Sequence, residues 1–361
     1  MKLQRISLEY IARLAGVHKA TVSRALRNHA AIPAPTRERI QAIAKREGYR
    51  PNPLVAMYQA QARSSRPTAM QSSLAWLNDY PNPDCWQEFP WLSGYLNGAR
   101  ERCEARGFRL EEISIGGHAR ASGDEVVRVS EILRHKGIFG VVLPLMLHQQ
   151  FLLEEWSSCV VALIGSGNKI APGHSPAAAS RYYPQGFPIA DRDFHYNLRL
   201  AFQTVLKRGY QRVGFIYSRY LDRESEGRSH AAFLVEQAQL PESQHVPILF
   251  LERFKEGRPP TFDRWLDTYH PDVILSSNPV VREWLQETGR SVPGDCGLAN
   301  LNVVGDVESW SGIRENHELI GAAAVDLIIG QLSRNEIGVS RHPRKLLIPG
   351  QWHEGGTLRP G

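Results

Sequence analysis

Charge is the chemistry that this 361-residue sequence offers most plainly. Of its 43 lysines and arginines, 13 lie in residues 1–66, namely Lys2, Arg5, Arg13, Lys19, Arg24, Arg27, Arg37, Arg39, Lys45, Arg46, Arg50, Arg63 and Arg66. Only Glu9, Glu38 and Glu47 oppose them, so this segment carries +10 and the remaining chain −4. A compact cationic segment concentrates on a polyanion and releases its counterions, which is the electrostatic footprint of a nucleic-acid binder.

Other reactive constellations are missing. Cys85, Cys103, Cys159 and Cys296 lie far apart, with no CxxC pair and no histidine at metal-ligand spacing. They are expected to be reduced, mostly packed thiols, and no metal site, cofactor or disulfide framework is expected. There is no HExxH, GxSxG or Walker loop, and Gly165-Ser166-Gly167 lacks the third glycine and helix start of a dinucleotide site. Asp191 and Asp193 imitate a hydrolase pair, but their spacing is equally that of loop carboxylates. The chain is therefore read as a non-enzyme. Its longest apolar run, 138–147, contains Pro144 and falls short of the roughly 18–20 residues a membrane span needs. No apolar stretch with a cleavage site follows Met1-Lys2-Leu3-Gln4-Arg5, so a cytoplasmic location without a membrane partner is expected.

The elements that must position the basic residues are short helices. Ser7 precedes a stretch, 8–15, with apolar positions 8, 11, 12 and 15 on one face, and serves as its N-cap. Gly16 ends it. A second amphipathic stretch, 18–26, follows after only Gly16-Val17, which forces a sharp reorientation. Ala12, Gly16 and Val22 supply a small residue where the helices touch, a glycine in the turn and an apolar plug. A third helix is expected to begin at Thr36, capped by its own hydroxyl, and to run through Ile40, Ile43 and Ala44 to about Glu47, where Gly48 stops it.

Four blocks carry a family resemblance: Ile11-Ala12-Arg13-Leu14-Ala15-Gly16-Val17, Ala20-Thr21-Val22-Ser23-Arg24-Ala25-Leu26, Thr36-Arg37-Glu38-Arg39-Ile40, and Gly48-Tyr49-Arg50-Pro51-Asn52. In register, they resemble the DNA-binding signature of the lactose/purine repressor (LacI/GalR) family of transcriptional regulators. The resemblance implies that 18–26 is a recognition helix lying in the major groove. Lys19, Ala20 and Arg24 then face base edges. A guanidinium such as that of Arg24 can bond O6 and N7 of guanine together, which discriminates by about 1–3 kcal/mol. Lys19 reaches the same atoms as a flexible point charge, and Ala20 offers an apolar contact. Ser7, Thr21, Ser23 and Thr36, with nearby helix N-terminal amides, would hold phosphates. His18 stands where the family usually has a serine cap, and Arg27 where a small polar residue is common, so phosphate contacts there are expected to differ. Residues 52–60, beginning at Asn52, match the family's hinge helix. Its minor-groove wedge position carries Tyr58, and Met57 or Tyr58 would unstack a base step.

Beyond the linker 61–68, short apolar runs alternate with helical stretches. Strands are expected at 74–77, 110–114, 138–143, 160–164, 212–217, 246–251, 273–275 and 296–300, and helices at 92–106, 124–135, 197–208 and 317–332. This alternation predicts parallel α/β sheets in two lobes. The fold expected is thus an all-α helix-turn-helix head (1–50), a hinge helix and linker (51–71), and a two-lobed, periplasmic-binding-protein-like α/β core (72–361) for effector binding and dimerisation. Looser landmarks of the same family are Lys207-Arg208-Gly209-Tyr210-Gln211-Arg212-Val213-Gly214-Phe215-Ile216, Ser276-Ser277-Asn278 and Val292-Pro293-Gly294-Asp295.

Ligands of open α/β sheets bind beyond the carboxyl ends of strands. By position, Asp79, Trp86, Trp91, Asp191, Asp193, Arg223 or Arg228, Asn278 and Asn302 are candidates for the cleft. Carboxylates, amides and guanidinium bond sugar hydroxyls in pairs, while tryptophan covers an apolar sugar face. Asn302 takes a position where the family typically has aspartate. Residues 167–188, rich in Pro, Gly, Ala and Ser, read as an inserted loop. The function implied is a homodimeric regulator, a repressor by expectation, that binds palindromic double-stranded operator DNA under control of a small-molecule effector such as a sugar. The alternative is a solute-binding sensor whose role is not DNA binding. No heptad extension precedes the C-terminus, so a dimer without a tetramerisation helix is expected.

Overall fold

The computed structural model describes residues 7–26, 29, 31–49, 72–78, 90–114, 123–144, 158–165, 186–252, 257–305 and 309–360. The chain divides into two compact units, a head ending at Pro67 that also takes in 333–335, and a core made of the remainder.

Three helices build the head. α1 (Leu8–Ala15) begins at Ser7, whose hydroxyl oxygen accepts from the Tyr10 amide at 3.2 Å, and ends at Gly16, which takes a left-handed φ of 63°. That turn delivers the chain to α2 (Lys19–Leu26) after three residues. α3 (Ala34–Arg46) closes the bundle, with Gly48 left-handed just beyond it. Ile11, Ala12, Ala15, Val22, Ala25, Ile32, Ile40 and Ala44 form the buried core. Gln41 Nε2 donates to the Ala25 carbonyl at 3.1 Å and so satisfies an acceptor at the end of α2. The expected start of α3 at Thr36 is corrected: the cap position is Pro33, with no side-chain cap, and Thr36 sits inside the first turn. Pro35 explains the shift, because its fixed φ and missing N–H suit a first helical turn, where the amide has no intrahelical partner.

The core holds two six-stranded sheets. The first is built from β1 (Ser72–Asn78), α4 (Pro90–Ala105), β2 (Phe108–Ser114), α5 (Gly123–Lys136), β3 (Gly140–Leu143), β4 (Val160–Ile164) and β5 (Ile189–Arg192). The chain then crosses into α6 (Phe194–Lys207), β6 (Val213–Ser218), α7 (Arg219–Glu224), α8 (Arg228–Gln237), β7 (Leu249–Leu251), α9 (Pro260–Tyr269), β8 (Val273–Ser276), α10 (Val280–Glu287), β9 (Gly297–Asn300) and β10 (Gly312–Arg314). It returns through α11 (His317–Arg334) to β11 (Lys345–Ile348) in the first sheet, and crosses once more to β12 (Gln351–His353) in the second. The strand orders are β2-β1-β3-β4-β5-β11 and β7-β6-β8-β9-β10-β12, so the two lobes repeat one topology. Every recorded pairing is parallel except that of β12 with β10.

All eight expected strands are present, and the parallel two-lobed arrangement is as read. The short strands β5, β10, β11 and β12 and the helices α7 to α10 were not anticipated. Apolar packing secures each lobe, with Ala75, Leu77, Val141 and Val161 in one cluster and Phe202, Phe215, Phe233 and Val273 in another. Glycines bring α4 and α11 into close contact: a Cβ on Gly98 would lie 1.8 Å from the Glu318 carbonyl oxygen, and one on Gly321 1.9 Å from that of Tyr95. No described helix is long and apolar enough to cross a membrane.

Candidate functional site

The second helix of the head has two distinct faces. Val22 and Ala25 are fully buried against α1 and α3, whereas His18, Lys19, Ala20 and Arg24 are exposed. Thr21, Ser23 and Thr36 are half-buried and Ser7 is exposed. His18 caps the helix: its Nδ1 accepts from the Ala20 amide at 3.2 Å, and its carbonyl accepts from Thr21 and Val22. A ring nitrogen of His18 therefore does the work of a serine oxygen here. Lys19 Nζ lies 2.7 Å from Glu9 Oε1, and this hydrogen bond and charge hold the Glu9 carboxyl below its ordinary range. Both partners stay in water, so the pair restrains Lys19 only weakly. Arg24 has no side-chain hydrogen bond or ion pair among the described residues, and its guanidinium is presented to solvent.

In the core, a cavity of about 190 Å³ opens at the carboxyl ends of the second sheet's strands, beside the crossings between lobes. Arg192, the last residue of β5, and Glu315, just past β10, meet there at 3.2 Å. Glu315 is buried and lies 3.1 Å from His317 Nε2. Burial pushes its carboxyl up, but Arg192 and His317 outweigh burial and hold it below the ordinary 4.5. The ring of Tyr95 on α4 packs edge-on against His317, with centroids 5.3 Å apart. The Arg192 guanidinium lies 4.5 Å from the Phe194 ring centre, and the Arg228 guanidinium lies 5.0 Å from it. Among the described residues, three lining groups are buried without a hydrogen-bond partner: Asn197 Nδ2, Ser277 Oγ and Asn302 Oδ1. Asn197 is fixed in place because its Oδ1 accepts from the Gly350 amide at 2.7 Å. Buried polar atoms without partners are costly, so a cavity wall that holds several is suited to a hydrogen-bonding ligand.

Residues 7–52 match the family model described as bacterial regulatory proteins, lacI family. By this head, residues 7–52, the chain is similar to that family. A 48-residue stretch is 44% identical to the HTH-type transcriptional regulator TreR of Salmonella typhimurium (strain LT2), covering 13% of this chain and 15% of that regulator. Likeness to solved structures extends over nearly the whole molecule. The Lac repressor dimer bound to operator and the anti-inducer ONPF superposes with a TM-score of 0.55 at 16% identity, covering 99% of this chain and 100% of that one. The transcriptional regulator CelR in complex with cellobiose gives 0.53 at 19% identity, covering 98% and 100%. At such identities the likeness establishes the fold: a helical head and an α/β core of two lobes.

The expected site residues separate into groups. Ser7, His18, Lys19, Ala20, Thr21, Ser23 and Arg24 all lie at the start of α1 or along α2, and Thr36 lies in the first turn of α3. Arg27, Asn52, Met57 and Tyr58 lie outside the described residues, as do Asp79, Trp86 and most of the 167–188 loop. Of the remaining core candidates, Asn302 lines the cavity. Asp191 is buried beneath it, paired with Arg228 at 2.8 Å. Asp193 caps α6 by accepting from the Tyr196 amide, and Asn278 accepts from the Val280 amide at the start of α10. Arg223 is exposed in the last turn of α7, and Trp91 packs on Tyr95 at 5.9 Å. Arg192, Phe194, Asn197, Tyr217, Ser277 and Glu315 line the cavity without having been expected there. The signal available in the sequence is the run Asp191-Arg192-Asp193 at a strand end, whose middle residue lines the cavity while the acids on either side do not.

Proposed function

We propose that this chain is a dimeric, effector-controlled DNA-binding transcription regulator. The observation that carries this reading is α2 of the lacI-family head, where Val22 and Ala25 anchor a helix whose exposed face offers Lys19, Ala20 and Arg24. Arg24 is the principal base reader, Lys19 and Ala20 are its neighbours in the groove, and Ser7, Thr21, Ser23 and Thr36 hold phosphate. The dimer bound to operator in the Lac repressor complex favours a two-fold symmetric protein on a palindromic site. The core cavity is the effector site. Cellobiose in the CelR complex, together with the unpaired amide and hydroxyl groups of Asn197, Ser277 and Asn302, favours a saccharide. Arg192 and Phe194 form one side of that site.

Footprinting on the DNA flanking the chain's own coding sequence, with and without a panel of mono- and disaccharides, tests the proposal. Two protected half-sites about one or two helical turns apart, with protection altered by one saccharide, is the expected result. Uniform, sequence-independent protection that no saccharide changes would refute it.

A further inference from the structure

We infer that Glu315 sets the charge specificity of the core cavity, admitting an uncharged, hydroxyl-rich ligand and turning away phosphorylated or carboxylated ones. The inference rests on reading this cavity as the effector site. Among the described residues that line it, Arg192 is the only cation and Glu315 the only anion. A guanidinium facing a cavity is ordinarily a receptor for phosphate or carboxylate, which it binds through paired N–H donors. Here that capacity is already engaged. Glu315, itself 4% exposed, supplies the countercharge at 3.2 Å from within the wall. An anion drawn to Arg192 would have to settle beside a second negative charge in a site of low dielectric, where like charges repel strongly.

Glu315 is also held in position. His317 Nε2 lies 3.1 Å from it, and His317 is in turn packed by Tyr95 and by Gly94, where an added Cβ would come within 2.6 Å of the His317 Cβ. The carboxylate therefore cannot swing aside without giving up its contacts with both Arg192 and His317. The neighbouring cation, Arg228, is matched by Asp191 at 2.8 Å and adds no uncompensated charge. What the wall leaves unpaired is neutral: an amide donor on Asn197, a hydroxyl on Ser277 and an amide oxygen on Asn302. Those groups complement ligand hydroxyls, which both donate and accept.

Thermal unfolding of the full chain tests this with inorganic phosphate as the anionic probe, against chloride at matched ionic strength. The wild type should show no phosphate-specific shift. Glu315→Gln should gain a rise of a few degrees at phosphate well above its dissociation constant, and Arg192→Gln added to it should abolish that rise. Glu315→Met, of similar length, carries the same expectation should the glutamine variant fail to fold. A wild type stabilised by phosphate in an Arg192-dependent way would overturn the inference, as would folded Glu315 variants indifferent to phosphate. In a parallel arm, any neutral sugar that stabilises the wild type should lose its effect as its 6-phosphate or uronate, and equal stabilisation by the charged form would also overturn it. If no sugar acts at all, the saccharide reading of the cavity fails, while the phosphate arm still reports on Glu315 by itself.

Discussion

Replacing Gly98 with alanine should destabilise the core by an amount set by the contact between α4 and α11. The added Cβ would lie 1.8 Å from the Glu318 carbonyl oxygen, 2.4 Å from its carbonyl carbon and 2.6 Å from its Cα, where ordinary contacts run 3.4–4 Å. Every obstructing atom is backbone, so relief requires the helices to separate by about 1.5 Å, and overpacking of this kind costs typically 1–3 kcal/mol. Alanine's better helix propensity returns up to about 1 kcal/mol. A further loss arises because Glu318 follows His317 and Glu315 closely, so moving the start of α11 draws the carboxylate from Arg192. The net cost is about 1–3 kcal/mol, and each kcal/mol lowers Tm by roughly 2–4 °C in a domain of this size. Differential scanning calorimetry would measure it, with Glu104→Ala on the exposed side of α4 as the control. A Gly98→Ala core that melts at or above the wild-type temperature would refute the reasoning.

Other expectations follow from the same contacts. His18→Ala should destabilise the head by about 1 kcal/mol through loss of the α2 cap, and His18→Ser should restore most of that in urea titrations of the head signal. Because the Glu315 carboxyl is held below its ordinary 4.5 in the folded core, its contribution to stability is fully present above that pH and lost as pH falls through the depressed folded value. Glu315→Gln should therefore flatten the acid limb of Tm against pH. Burial pushes the thiols of Cys103 and Cys296 up to about 12 and that of Cys159 upward as well, so iodoacetamide should label these three only after unfolding, as mass spectrometry of peptides would reveal.

Much of this architecture was legible in the sequence for local reasons. The head declares itself because Ser7, Gly16 and Gly48 act on their immediate neighbours, and capping and left-handed turns are short-range physics. Long apolar runs such as 138–143 and 212–217 likewise declare buried parallel strands. β5 was missed because Ile189–Arg192 is four residues long and half charged, and β10, β11 and β12 are equally short. Which member of Asp191-Arg192-Asp193 reaches the cavity depends on strand alternation and on where the strand stops. Asp191 turns to Arg228, Arg192 lines the cavity, and Asp193 leaves the strand to cap a helix. Glu315 could not be paired with Arg192 from sequence, since 123 residues separate them and only the crossings between lobes bring them together. The Thr36 hydroxyl suits a cap, yet Pro35 beside it allows the helix to begin earlier.

The central claim, that Arg24 reads sequence from α2, is tested most directly by fluorescence anisotropy at one fixed salt concentration. Dissociation constants would be measured for wild type and Arg24→Ala on the footprinted operator and on a shuffled duplex of equal length. Arg24→Ala should weaken operator binding by roughly 5- to 150-fold, the equivalent of about 1–3 kcal/mol, and leave the shuffled duplex nearly unaffected. Because Arg24 is exposed, the stability of the head should be unchanged. Equal weakening on both duplexes would make Arg24 a phosphate contact, and no weakening on either would contradict the claim.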